Sequence, residues 1–172
     1  MAAFIDPILR GSLFVYLAIL LGLIGSLIAD QSHVNPQVNF GIFATVFGLV
    51  FGVFYGLGAA FVEFLAFPIV IAIFDFLNFV FLFAAATAIA TALRVHSCNN
   101  KSYVDHNTVA QGSSGRCRRA QASVAFLYFS AFTILGLFIY STISVFSQGA
   151  FSLPTSRRSA APRTGIPTMS QV

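Results

Sequence analysis

The chain has 172 residues, 58% of them hydrophobic and 8% charged, with a net charge of +4 and a mean hydropathy of +0.87. A soluble domain carries about 25% charged residues, so this chain cannot clothe itself in polar surface, and its 21 phenylalanines suit a lipid-facing exterior. The basic groups are split between a loop and a tail rather than forming one stripe, which argues against a nucleic-acid partner.

Four apolar runs follow in chain order. Gly11–Ala29 holds no charge, and at ~1.5 Å per residue it spans ~28 Å, close to the ~30 Å hydrocarbon core. Asp6 followed by Pro7 fits an N-cap with proline at the first helical position, so this helix is expected to start before the membrane. The run is longer than a signal-peptide core and no small-residue cleavage site follows, so it reads as retained.

A polar link with Asp30, His33, Asn35 and Pro36 separates it from Phe40–Val62. Pro68–Leu93 is broken only by Asp75 and Asn78, and Ala120–Phe146 carries no formal charge. The runs lack the alternation of barrel strands, and backbone in lipid must satisfy itself internally. The expectation is an all-α, four-helix transmembrane bundle over residues 1–147, followed by a flexible tail over 148–172 whose Gly, Pro, Ser and Thr content rules out a fifth crossing.

Packing is written most clearly in the second run. Ala44, Gly48, Gly52, Gly56 and Ala60 recur every fourth residue and form a ridge of small side chains on which another backbone can approach. Ala18, Gly22 and Ser26 repeat the spacing on the first helix, and the short link implies that the two helices pack antiparallel. The ridge serves either the bundle itself or a second copy in a homo-oligomer.

An even number of crossings puts both termini and the Glu63–Phe67 link on one side and the Arg94–Arg119 loop on the other. Arg10, Arg157, Arg158 and Arg163 fall on the first side, and Arg94, Lys101, Arg116, Arg118 and Arg119 on the second, so the positive-inside rule does not decide orientation. The only cysteines, Cys98 and Cys117, stand at opposite ends of the long loop. A disulfide closing an extracellular loop, worth ~3 kcal/mol in a chain-entropy estimate, and a pair of palmitoylated thiols beside basic residues on a cytosolic loop both fit.

The stretches Asp75–Phe81 (DFLNFVF), Arg94–Asp105 (RVHSCNNKSYVD), Arg116–Ser130 (RCRRAQASVAFLYFS) and Gly165–Val172 (GIPTMSQV) resemble the fungal non-classical export protein family, whose members carry a MARVEL-type domain. The similarity runs almost end to end. It implies a four-helix plasma-membrane protein with cytosolic termini and an extracellular cysteine loop, associated with eisosomes, the furrow-like domains of the fungal plasma membrane. It further implies membrane lipids, sphingolipids among them, and eisosome proteins as partners, with links to sphingolipid-responsive signalling and unconventional protein export. With that topology the disulfide becomes the expected state of Cys98 and Cys117.

Chemistry is sparse. Asp75 lies ~10 Å along its helix from Pro68, inside the hydrocarbon, and Asn78 is one turn on along the same face. The ordinary reading is a protonated or hydrogen-bonded packing pair, bonding into the bundle or meeting a polar lipid head group; the other is a polar route or proton relay, for which no second membrane-centred acid is evident. His33, His96 and His106 lack compact metal-ligand spacing. No P-loop, dinucleotide fingerprint, zincin helix or nucleophile elbow is present, so neither an enzyme nor a cofactor is expected. Asn100-Lys101-Ser102 is a glycosylation sequon close to a membrane boundary. In the tail, Arg157, Arg158 and Arg163 can attract anionic lipid at ~1 kcal/mol each, and phosphate on Ser152, Thr155, Ser156 or Ser159 would oppose that attraction.

Overall fold

The computed structural model describes residues 2–62, 67–94 and 96–148. Glu63, the tail arginines Arg157, Arg158 and Arg163, and the Gly165–Val172 motif lie outside the described residues. Among the described residues the chain is all-α: α1 (Ala2–Ala29), α2 (Pro36–Phe47) running through a π-helical stretch (Gly48–Tyr55) into α3 (Gly56–Phe61), α4 (Pro68–Leu93), α5 (Lys101–His106) and α6 (Ser114–Gln148). Four helical rods are long and apolar enough to cross a membrane. The α1 rod packs on the α2 rod and on α6, and α4 packs on the same two neighbours, closing a four-helix ring.

Three helix starts differ from the sequence expectation. Asp6 does not cap α1, which is already helical at Ala2 with Pro7 inside it. A proline this near the helix start removes few backbone bonds, and the Asp6 carboxylate is engaged elsewhere, by Arg10. The second rod begins at Pro36 rather than Phe40 because Asn35 caps it, its side-chain oxygen accepting from the backbone N–H of Gln37 at 3.0 Å and Val38 at 3.1 Å. α6 begins at Ser114, six residues before its apolar run, and its 35 residues reach about 52 Å, well beyond the ~30 Å hydrocarbon core.

The core is a seam with heptad spacing. α1 contributes Leu13, Leu17, Leu20, Ile24 and Leu27; α4 contributes Leu82, Ala85 and Ile89; and α6 contributes Ala120, Leu127, Ile134 and Leu137, all buried. Phe14, Phe43, Phe54, Phe76, Phe129 and Phe132 point outward, where lipid tails replace water as solvent. Rings also line the contact between the second rod and α4, with Phe51 stacked on Phe74 at 4.6 Å and Phe47 edge-on to Phe81 at 5.1 Å.

Ala44, Gly48, Gly52 and Gly56 of the small-residue ridge face the interior, the side chain of Ala60 lying outside the described residues, but side chains rather than a second backbone enter the ridge. A Cβ placed on Gly48 would sit 3.0 Å from Leu17 Cδ1, and one on Gly52 would sit 3.3 Å from Asn78 Nδ2 and 3.4 Å from Leu13 Cδ2. The π-helical stretch explains how a strict fourth-residue pattern stays on one face. In an α-helix each such step drifts about 40°, and the wider π turns compensate by advancing less per residue. The matching expectation for α1 is corrected: Ala18 is exposed and Gly22 meets nothing within 4 Å. The leucine seam, not the small residues, fixes which side of α1 turns inward.

At the other end of the bundle the long loop folds into a compact cap. Cys98 and Cys117 are joined by a disulfide with a Cα–Cα distance of 5.7 Å, packed against Val104 and Ala110. Gln111 clips the 32–33 segment to this cap, accepting from Ser32 N at 2.9 Å and donating to His33 O at 2.8 Å. Arg116 donates to Leu27 O at 2.7 Å, Asn107 Nδ2 donates to Ala92 O at 2.8 Å, and the Tyr103 hydroxyl donates to Leu93 O. The cap thereby satisfies carbonyls at the C-terminal ends of both α1 and α4.

Candidate functional site

The inward stripe of α4 includes Pro68, Ala72, Asp75, Asn78, Leu82, Ala85 and Ile89. Asp75 and Asn78 therefore occupy core positions, with exposures of 1% and 0%. An isolated carboxylate at such a place is costly, and the chain supplies a cation. Arg10 lies on the α1 seam one turn before Leu13 and is itself only 2% exposed.

The Arg10 guanidinium is divided among three acceptors. Nη1 lies 3.4 Å from Asp75 Oδ1 and Nη2 lies 3.4 Å from Asp75 Oδ2, a two-pronged approach to the carboxylate. Nη1 also donates to the carbonyl of Gly52, within the π-helical stretch, at 2.5 Å. Nε faces Asp6, one helical turn earlier on α1, at 3.1 and 3.2 Å. Gly56 is the space this requires: any Cβ there would collide with the guanidinium. The glycine ridge thus does two jobs, admitting leucines along its upper part and a buried cation at its lower end.

The cluster grades from wet to dry. Asp6 retains 26% exposure, Arg10 and Asp75 almost none, and Asn78 lies one turn deeper. Asn78 Nδ2 donates to Phe74 O at 2.9 Å in its own helix, while Oδ1 is buried without a hydrogen-bond partner among the described residues. Ser141 of α6, also buried, adjoins Asp75. Asp75 and Asn78 are thus brought together with Arg10, Asp6, Gly52 and Gly56. The sequence pattern by itself places Arg10 among the terminal-side charges and Asp6 at a helix cap. The signal for Arg10 was its register: positions 10, 13, 17, 20, 24 and 27 alternate steps of three and four, the spacing of the buried face.

The histidines take no part. His33 lines a cavity of about 630 Å³ between residues 32–37 and 105–112, His96 lines one of about 340 Å³ beside Arg94, and His106 lines both. No group of three metal-ligating side chains occurs among the described residues. Asn100 is exposed and caps α5.

The fold and its buried polar centre define a polytopic membrane protein built on a four-helix bundle, and residues 3–140 match the MARVEL family, described as a membrane-associating domain. The chain belongs to the MARVEL-domain family of fungal non-classical export proteins. It is 47% identical to "Non-classical export protein 2" of Saccharomyces cerevisiae and 57% identical to "Non-classical export protein 102" of Candida albicans, each over the full length of both chains. It is 35% identical to "Non-classical export protein 2 homolog" of Schizosaccharomyces pombe over 73% of this chain and 67% of that protein. No solved structure matches.

Proposed function

We propose that the protein is a non-enzymatic organiser or sensor of eisosome-type lipid domains in the plasma membrane, with cytosolic termini and an extracellular Cys98–Cys117 loop. The observation that carries this reading is the closed state of the buried polar centre. Asp75, the residue a transport route would have to hydrate, is 1% exposed and held by Arg10. A dry bundle of this kind presents its outer surface to lipids and neighbouring helices rather than a path to solutes. The exposed phenylalanines supply a broad face for lipid packing. On this reading its partners are sphingolipids and eisosome proteins, and the relatives' printed names, non-classical export proteins, suggest a part in export.

The test is to count and measure plasma-membrane furrows in cells lacking the protein and in cells with it restored, before and after blocking sphingolipid synthesis. Loss of furrows, or of their response to the block, supports the reading; unchanged furrows in both conditions contradict it.

A small transporter or export component is the second reading, favoured by one feature. Asp6, Arg10, Asp75 and Asn78 form a polar series from the half-exposed edge into the bundle, ending at the unpartnered Asn78 Oδ1. Proton flux through liposomes containing the purified protein, abolished by Asp75→Asn, would support transport over organisation.

A further inference from the structure

The smaller outer cavity has a chemistry that the bundle does not use. It is an open cleft of about 340 Å³ lined by Ala92, Arg94, His96, Tyr103, His106, Asn107 and Thr108, with Arg94, His96 and His106 exposed. Arg94 follows the last residue of the membrane span Pro68–Leu93, so its Cα stands at the level where lipid head groups meet water. It caps α4 in the left-handed conformation, φ 46°, a strained backbone for a residue with a Cβ.

An arginine at a helix C-terminus would ordinarily turn back onto the last carbonyls. Here those carbonyls are taken by neutral donors, the Tyr103 hydroxyl on Leu93 O and Asn107 Nδ2 on Ala92 O at 2.8 Å. Among the described residues, the guanidinium of Arg94 has neither a hydrogen-bond acceptor nor a carboxylate partner. Burial raises the Tyr103 phenol above its ordinary value, and the charge of Arg94 opposes the rise.

Two imidazoles complete the wall. His96 packs on the Tyr103 ring at 4.7 Å, and His106 Nδ1 donates to Ser102 O at 2.8 Å, leaving Nε2 for a ligand. Among the described residues no acidic side chain lines this cavity; Asp105 lines the larger one. A cationic fork flanked by two imidazole rings, with no carboxylate among the described lining residues, is a setting suited to a phosphate group.

We infer that this cavity at the end of α4 binds a phosphate group, with Arg94 as the principal contact and His96 and His106 flanking it. The phosphate comes either from the head group of an anionic lipid or from a soluble phosphate ester. The site needs only the end of the span and the cavity wall, so it stands whichever side of the membrane the loop faces.

The full chain in dodecyl maltoside micelles, whose head groups carry no phosphate, is titrated with inorganic phosphate while the histidine ring resonances are followed at constant ionic strength. In parallel, native mass spectrometry measures retention of phosphatidylglycerol against uncharged diacylglycerol. The expected result is saturable movement at His96 and His106 with His33 unmoved. Arg94→Gln is expected to weaken phosphate binding at least tenfold and to reduce phosphatidylglycerol retention to the diacylglycerol level. Saturation with free phosphate and no selective lipid retention assigns the site to a soluble ester, whereas selective, Arg94-dependent lipid retention assigns it to a head group. If Arg94→Gln fails to fold, the wild-type titration and retention decide. Absence of both saturable shifts and selective retention in the wild type overturns the proposal, as does unchanged binding in a folded Arg94→Gln protein.

Discussion

Arg10 and Asp75 are 65 positions apart in the chain and meet inside the bundle, their charged atoms 3.4 Å apart on both prongs and both side chains almost wholly buried. The pair ties α1 to α4, and through the Gly52 carbonyl it also holds the π-helical stretch of the second rod. Three of the four spans therefore converge on one guanidinium. Its position explains why Gly56 has no side chain and why the lower end of the ridge cannot be filled with leucine.

Removing one partner strands the other. Asp75→Leu leaves Arg10 with only the half-exposed Asp6 and a backbone carbonyl, a loss expected to reach about 3–5 kcal/mol. Asp75→Asn keeps a carbonyl acceptor and is expected to cost less, about 1–3 kcal/mol. Unfolding of the purified variants in lipid nanodiscs ranks them; equal losses would mean that ionisation, not hydrogen bonding, holds the site.

Position along the ridge decides what a larger residue does. Gly52→Leu drives a branched side chain into space held by Asn78, Leu13 and Ile134 and is expected to destabilise by about 1–3 kcal/mol. Gly22→Leu, on the outward face of α1 with nothing within 4 Å, is expected to stay within about 0.5 kcal/mol of wild type. Thermal unfolding in the same lipid compares the two, and equal effects would contradict the assigned faces.

Much of this arrangement was legible from spacing. The apolar runs located the spans because their lengths match the bilayer, and Asp75 and Asn78 stood out because polar groups are costly there. The ridge was legible too, since few sequences place Gly48, Gly52 and Gly56 in register. The partner of Asp75 was not, because Arg10 lies near a chain terminus where basic residues usually face water. Only its register with Leu13 and Leu17 marks it as internal. The Ala18–Gly22 pattern misled for the opposite reason: small residues permit close approach but do not compel it, and α1 turns its leucines inward instead.

The loop cap contains the Cys98–Cys117 link. Non-reducing peptide mapping is expected to recover the joined peptides, and Cys117→Ser is expected to lower stability by about 3 kcal/mol. Two acylated or free thiols in protein taken from its native membrane would contradict this.

The tail offers a separate test. Replacing Arg157, Arg158 and Arg163 with Gln while keeping Gly165–Val172 is expected to reduce clustering in the membrane if attraction to anionic lipid drives it. Clustering that survives this change but not removal of Gly165–Val172 would reject the electrostatic account in favour of a protein partner.

The most direct measurement is a double-mutant cycle of Arg10→Leu, Asp75→Leu and the pair, read as unfolding free energy in nanodiscs. A buried, mutually dependent ion pair predicts that the double variant loses far less than the sum of the singles, with a coupling of about 2 kcal/mol or more. Additive losses, with coupling below about 0.5 kcal/mol, would contradict the claim that Arg10 and Asp75 hold the bundle closed.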